Sequence, residues 1–563
     1  MKVEHVDDIP VLYSKLKESG LGEVLNKHFQ VHGNWGGVTI GQTVEAWLVF
    51  ILSCGEHRLC RVEDWASERL QVLRGAMGTK DLSPSHLSDD RLGSVLDHLS
   101  ATTEWELFES ELNRRLLQVY RLPESGGTVR LDATLAQSFR EAEGLFQEGY
   151  SKQRRADLAQ IKVMLSTYDP LGMPLTVEVV SGNCADEPLY RPAIDRVRRT
   201  LTERGLLYVG DKKMGTLETR AYINEAGDSY LMPLALRECP EKQVHAYLAE
   251  QPSKLQFIEE KDKSGKKTPK AKLFEVSGGH ECSFGSQTWA ERRIVVYSVA
   301  YGQTQGRALD KRVANALHAL DGLLKPRQGK KVMLDAQEVA AAVQGIHGQY
   351  RTAGLVSVEI KELRAQKVHR KYGKRPEQVG EEVAFQITAT RNEEAIKEHK
   401  ALFGWRVYAT NAPKERLSPT QSVECYWQEY NIEHRFNELH NKTTALLPIF
   451  LHKENRIVAL VRLLILAIKF SCLIQHQLRQ ELQNTEQSIK ELYPGNPGRK
   501  TKKPTTSLIL GAFKGISLVT MTLPDGTPFV QMTALKPVQL KILKLLALTP
   551  DTFEDICQFC RSG

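Results

Sequence analysis

Long uncharged apolar runs are missing from the 563-residue sequence. Its most apolar stretch, Ile457 to Ile474, carries Arg462 and Lys469, whereas a membrane span needs about 20 residues with few or no charges. The stretch reads as a buried helix, and no membrane is expected as a partner. The N-terminus lacks the combination of a basic start, an apolar run and a small-residue cleavage site that marks a secreted chain. Cysteine is sparse: nine are present, an odd number scattered from Cys54 to Cys560, which excludes a disulfide framework and predicts a reducing cytoplasm. Cys557-Gln-Phe-Cys560 has no second pair or histidine nearby, so it reads as ordinary thiols and not as a zinc site. A phosphate loop is absent as well, because Gly322 and Gly329 before Lys330 miss its spacing by two residues. No internal repeat is found.

What is present is ordinary globular composition, 41% hydrophobic and 26% charged, which excludes a disordered chain or a collagen-like repeat. The length predicts about three to four domains. With 76 basic against 68 acidic side chains the formal net charge is +8, which makes a polyanion a fitting partner without proving one.

Along the chain the pattern is helical from Val11 to about Leu122, including an apolar helix over Gln42 to Ser53 and a capped start at Ser88. Glu124 to Gly127 reads as a linker. The period then changes. Strands are predicted over Thr128 to Asp132, Gln160 to Tyr168 and Pro174 to Val180, the last two joined by the turn Asp169-Pro-Leu-Gly172. A helix over Leu189 to Glu203 leads to a strand over Leu206 to Val209, so helix and strand alternate. Residues 236–403 hold three basic clusters, at Lys261 to Lys272, Lys325 to Lys331 and Arg364 to Arg375, and read as one inserted domain. Trp405 to Thr410 resumes a strand. Ser418-Pro419 starts a helix expected to run from Thr420 to Leu439. The predicted division is a helical domain over 1–124 assigned to DNA binding, a first part of an α/β core over 125–235, the insertion over 236–403, a second part of the core over 404–475 and a helical C-terminal segment over 476–563.

Three acidic residues carry the chemical argument. Asp132 and Asp211 sit at predicted strand ends, and Glu433 lies on a predicted helix. Strand ends of an open α/β sheet are where ligands bind, so carboxylates from separate strands can converge there on a metal. Mg²⁺ prefers carboxylate oxygens, and two such ions can serve both sides of a phosphodiester cleavage. A rival, Asp335 in Val-Met-Leu-Asp-Ala-Gln, falls in the insertion and ranks below Asp132. Trp289 and Trp405 read as core packing.

Leu59-Cys-Arg-Val-Glu-Asp64, Leu131-Asp-Ala-Thr134, Gly182-Asn183 with Asp186, Val209-Gly-Asp211 and Ala409-Thr-Asn411 resemble the DDE transposases of bacterial insertion sequences, in particular insertion-sequence family four and its sixteen-thirty-four group. Asp132 and Asp211 are 79 residues apart and Asp211 and Glu433 are 222 apart, as an interrupted sheet requires. The resemblance implies a ribonuclease H-like core, Asp132, Asp211 and Glu433 as metal ligands, two Mg²⁺ ions for which Mn²⁺ can substitute, and hydrolysis at element ends followed by strand transfer without a covalent protein intermediate. It also implies double-stranded DNA as partner, both the terminal inverted repeats and the target, and a homodimer in the DNA complex. Two other readings stay open on the residues alone, a nuclease of the same fold without strand transfer and a domesticated DNA-binding protein with a decayed site.

The family's helix signature places Tyr, Arg, Glu and Lys at fixed intervals. Here Tyr426 and Glu433 match, whereas Glu429 stands where Arg is expected and His440 where Lys is expected. On one continuous helix these four positions fall within about 40° of one face. Tyr426 and His440 are therefore expected at the DNA, His440 in its charged form, together with Lys212; Arg435 and Lys442 are candidates for the missing positive charge.

Overall fold

β-branched and aliphatic residues flank the first two aspartates, and both segments form strands. In the computed structural model the chain is described except at residues 32, 34, 124–125, 151–154, 156, 202–203, 251–254, 262–264, 266, 326–334, 370–377, 442–443 and 563, and side chains also except at 261, 367–369, 378–382 and 441. The strands are β1 (Lys2–His5), β2 (Thr128–Ser138), β3 (Ala159–Tyr168), β4 (Met173–Ser181), β5 (Leu207–Gly210), β6 (Ser229–Pro233), β7 (Gln256–Lys261), β8 (Lys267–Glu275), β9 (His280–Phe284), β10 (Gln287–Ser298), β11 (Val356–His369), β12 (Gln378–Arg391), β13 (Trp405–Thr410), β14 (Ser517–Thr522) and β15 (Pro528–Met532).

The central sheet runs β4-β3-β2-β5-β6-β13-β10-β8-β7, with β9 paired to β10. Its first five strands have the ribonuclease H-like order: β2 pairs antiparallel with β3, β3 antiparallel with β4, and β2, β5 and β6 run parallel. The α/β expectation holds. β3 is buried along its whole length, as a strand covered on both faces must be. The turn from β3 to β4 uses Gly172 at φ +63, a left-handed position that glycine adopts without strain.

The single inserted domain over 236–403 is not what the structure shows. β7 to β10 continue the central sheet through β13, and a buried group fastens them there: Glu291, on β10, is wholly buried and pairs with Arg220 at 2.5 Å and with Arg293 at 2.7 Å. The residues beyond Ser298 form the separate unit, with helices Val299–Asp321, Ala336–Tyr350 and Glu393–Lys400 packed on the β11–β12 ribbon around Leu309, Val313, Val343 and Ile396. Asp335, the discounted rival, caps the second of these helices by accepting a hydrogen bond from the Gln337 amide at 3.1 Å. The 325–331 cluster lies outside the described residues except for Lys325, and so do Arg370 to Arg375.

The chain ends, read as two separate segments, fold together. β1 pairs with β14, which pairs with β15, and one core contains Leu12, Trp47, Leu464, Leu518 and Ile556. A four-residue strand such as β1 is too short to show a period. At the centre lies the helix Glu454–Asn484, the one helix among the described residues long and apolar enough to cross a membrane by length and composition; its most apolar part is mostly buried inside the protein. The two charges in its most apolar stretch, Ile457 to Ile474, are satisfied internally, Arg462 by the carbonyls of Leu99 and Ser100 at 2.8 and 2.9 Å and Lys469 by Asn113 Oδ1 at 2.5 Å.

Burial of Lys469 lowers its pKa from 10.5 to about 8. The folded state therefore carries a charge-burial cost that is full below pH 8 and relieved between 8 and 10.5. Wild-type stability relative to Lys469→Met is expected to rise with pH across that window by up to about 3 kcal/mol. Denaturant unfolding at a series of pH values measures the difference, and parallel pH profiles for the two proteins would contradict it.

Candidate active site

The backbone brings the first two acids together. β2 and β5 pair in parallel from Thr128↔Leu207 to Leu131↔Gly210, so Asp132 and Asp211 are the next residues on two strands that lie about 4.8 Å apart. The spacing of 79 in sequence equals the register offset. Asp132 Oδ1 accepts from the Ala133 amide at 2.8 Å. β5 stops at Gly210, and Asp211 opens a turn in which its Oδ1 accepts from the Lys213 amide at 2.8 Å and from the Tyr190 hydroxyl at 2.8 Å. Burial, then Asp211 and Asp132, raise the Tyr190 pKa well above its ordinary value, so this hydroxyl stays a donor.

A chain of alternating charge runs beside them. Asp186 takes bonds from both Lys162 of β3 and Lys213. Burial would raise the Asp186 pKa, but the two ammonium groups outweigh it and hold the carboxyl below its usual range. Burial likewise opposes the Lys213 charge, yet Asp186 and then Asp211 and Asp132 raise its pKa. Sequence reasoning quoted Asp186 without a role and passed over Tyr190 and Lys213. Lys212 is exposed beside Asp211.

The third acid comes from the segment that starts at Ser418, whose hydroxyl caps the Gln421 amide in a capping box with Pro419 in the first turn. The expected single helix is two, Pro419–Trp427 and Tyr430–Asn441, meeting at Gln428 and Glu429. The calculated common face therefore does not apply across the junction. Tyr426 is buried, its ring 4.8 Å from that of Tyr408. Glu429 lines a small cleft together with Asp132, Gly210, Tyr426 and Arg130. Burial and then Glu433 raise the Glu429 pKa, the Tyr426 hydroxyl lowers it by donating to the carboxylate, and Asp211 raises it again. Glu433 is exposed at the first turn of the second helix.

The acids thus form one neighbourhood without a closed cage: among the described residues no three carboxylate, histidine or cysteine side chains already surround a metal-sized position. The donor set is nevertheless all carboxylate oxygen, which suits a hard divalent cation. Asp132, Asp211 and Glu433 are the residues that could hold one, with Glu429 beside them.

Two expectations change. Arg435 is drawn into the core, where it pairs with Glu438 at 2.6 Å, and does not reach the site. His440 does lie near Asp132, since its Nε2 is 3.0 Å from the hydroxyl of Thr134 two residues along β2, but burial lowers its pKa. The imidazole is held neutral, opposite to the expected cation. Lys442 lies outside the described residues.

Asp132, predicted at a strand end, instead lies within β2, which runs on to Ser138, beside the point where β5 stops. A sheet of ribonuclease H-like order with one aspartate there on its first strand and another just past the end of its fourth defines a class of α/β proteins built to place acids side by side. A family model described as a transposase DDE domain matches residues 128–470, more than half of the sequence, and the chain belongs to that family. A domain of unknown function (DUF4277) matches residues 1–112. Among solved structures the chain is similar to a piggyBac transposase, determined by cryo-EM as a synaptic complex with hairpin DNA, at 11% identity and a TM-score of 0.24, covering 47% of this chain and 55% of that one. The chain thus spans about half the length of that relative. A search of curated proteins finds no match.

Because the His440 pKa is lowered, its contribution to stability is present above the ordinary value of 6.5 and lost as pH falls through the folded value. NMR of the free protein is expected to show His440 titrating below 6.5, and His440→Gln to remove that part of the acid destabilisation. Titration at or above 6.5 would contradict the placement against Thr134.

Proposed function

We propose that the protein is a DDE transposase that cuts DNA at the ends of a mobile element and joins the freed strand to target DNA. The observation that carries this reading is the shared register of Asp132 and Asp211 within a region matched throughout by the transposase DDE family. Asp132, Asp211 and Glu433 are the ligands of two Mg²⁺ ions, with Mn²⁺ able to substitute. Bound there, such ions activate an attacking oxygen and stabilise a leaving one.

The residues around the acids prepare that site. The Asp211 carboxylate is aimed by its own turn and by Tyr190, so its orientation does not depend on the ligand. Lys213, tied to Asp186, offsets part of the repulsion between neighbouring carboxylates. Lys212 is free to meet phosphate. In the first step the oxygen of water attacks phosphorus, the bond to the 3′ oxygen breaks, and a proton from the water ends on that oxygen, which leaves as a 3′-hydroxyl. In the second that 3′-hydroxyl attacks a phosphorus of the target and displaces its 3′ oxygen, and the proton it gives up ends on the displaced oxygen. The substrate is double-stranded DNA, engaged by a homodimer in the cytoplasm at the nucleoid.

Asp132→Asn, Asp211→Asn and Glu433→Gln are each expected to cut cleavage of end DNA by more than the roughly 100-fold that loss of an outer-shell partner costs, with binding to that DNA retained. Full cleavage by Asp132→Asn would overturn the assignment.

The lysine cluster gives a second test. Lys267 and Lys270 face Glu259 and Glu260 at 3.1 and 3.8 Å, and Lys272 stands 5.0 Å over the rings of both Tyr297 and Trp405; Lys266 lies outside the described residues. The pairs are exposed and weak, which leaves their cations available to phosphate. Replacing Lys267, Lys270 and Lys272 by Gln is expected to flatten the plot of log affinity against log salt by up to about 0.9 per lost contact. An unchanged slope would make the cluster plain solvated surface.

A further inference from the structure

The two-helix segment that carries Glu429 and Glu433 has a junction where a single helix was expected; backbone hydrogen bonds such as Glu429 N–H to the Tyr426 carbonyl and Ile432 N–H to the Glu429 carbonyl run through it, and one buried ion pair touches both of its sides. Where two helices meet, the last carbonyls of the first and the first turn of the second need partners. A cation suits the first position and an anion the second, because the helix dipoles point those ways. Arg130 on β2, 2% exposed, supplies the cation: its Nη2 donates to the carbonyl of Cys425 at 2.7 Å, in the last turn of Pro419–Trp427, while its Nε donates to Asp169 Oδ2 at 2.7 Å. Asp169, buried in the turn after β3, supplies the anion. Its Oδ1 accepts from Asn431 Nδ2 at 3.0 Å, in the first turn of Tyr430–Asn441. The same turn is pressed against the junction, since a Cβ on Gly172 would stand 3.0 Å from the Asn431 carbonyl. Arg130 is two residues before Asp132 and lines the cleft shared by Asp132 and Glu429.

We propose that Arg130 and Asp169 form a latch that sets the helix junction and thereby positions Glu433 over Asp132 and Asp211; both are positioning residues, and the proposal rests on the metal-site reading above. Stability alone is a poor reason for such a pair, because well-packed apolar replacements of buried ion pairs are often neutral or stabilising. Its geometry is the distinguishing feature: one guanidinium rooted in the strand of the first acid grips the end of one helix, and its counter-ion grips the start of the next.

The test uses the full-length double variant Arg130→Met/Asp169→Asn, in which neither charge is left buried alone. Its comparison is Arg196→Met/Glu109→Gln, which removes another buried ion pair, 2.6 Å long, from helices outside the junction. Mn²⁺ binding is read by electron paramagnetic resonance and folding by circular dichroism. The latch variant is expected to stay folded and to lose roughly 10–100-fold in Mn²⁺ affinity, the range for residues that orient metal ligands, with faster amide exchange over residues 429–433. The comparison variant should change neither. Arg130→Lys, which keeps the charge but cannot reach Asp169 and the Cys425 carbonyl together, should fall between. Wild-type Mn²⁺ affinity and unchanged exchange in a folded latch variant would overturn the proposal. If the wild type itself binds no Mn²⁺, the metal-site reading fails, and amide exchange over 429–433 alone decides the latch.

Discussion

Parallel pairing of β2 with β5 is the constraint on which the rest of the site depends. Side chains alternate along a strand, so a slip of one residue would turn Asp132 to the opposite face from Asp211. The register is protected by what lies on either side. Val129 and Leu131 of β2, and Tyr208 and Val209 of β5, are all buried, and each would have to leave its packing for the strands to slide. The candidate site is thus placed by the core and not by its own loops.

Around that fixed pair the structure manages charge. Carboxylates in one neighbourhood repel, and Glu429, its pKa raised first by burial and then by Glu433, shows it. Lys213 and Lys162 partly offset this through Asp186, and the Tyr190 hydroxyl satisfies one oxygen of Asp211. Further out, the core shared by both chain ends surrounds the helix Glu454–Asn484, which packs against β4 at the edge of the central sheet.

Much of this architecture could be read from residue patterns. The strands near 128, 160, 174, 206 and 405 and the caps at Ser88 and Ser418 follow from alternation and side-chain chemistry that act locally. The offset of 79 between Asp132 and Asp211 was visible as a number, but it became a register only once both segments were known to be parallel neighbours. The helix junction was hidden because Gln428, Glu429 and Tyr430 include no glycine or proline, and the side chains that touch its two sides, Arg130 and Asp169, are distant in sequence. Arg435 and His440 were misjudged for a related reason. Their helical positions show which way they face, whereas the pairing of Arg435 with Glu438 and the burial that lowers the His440 pKa come from the fold. The joining of β7 to β10 to the central sheet is likewise a long-range pairing that composition cannot reveal.

The central claim is that the parallel pairing of β2 with β5 presents Asp132, within β2, and Asp211, just past the end of β5, to a common divalent metal together with Glu433. Crystals of the protein soaked in Mn²⁺ and measured at the manganese absorption edge test it most directly. The account predicts anomalous density in contact with the carboxylates of both Asp132 and Asp211. Density bound elsewhere, with these two carboxylates left without it, would contradict the account.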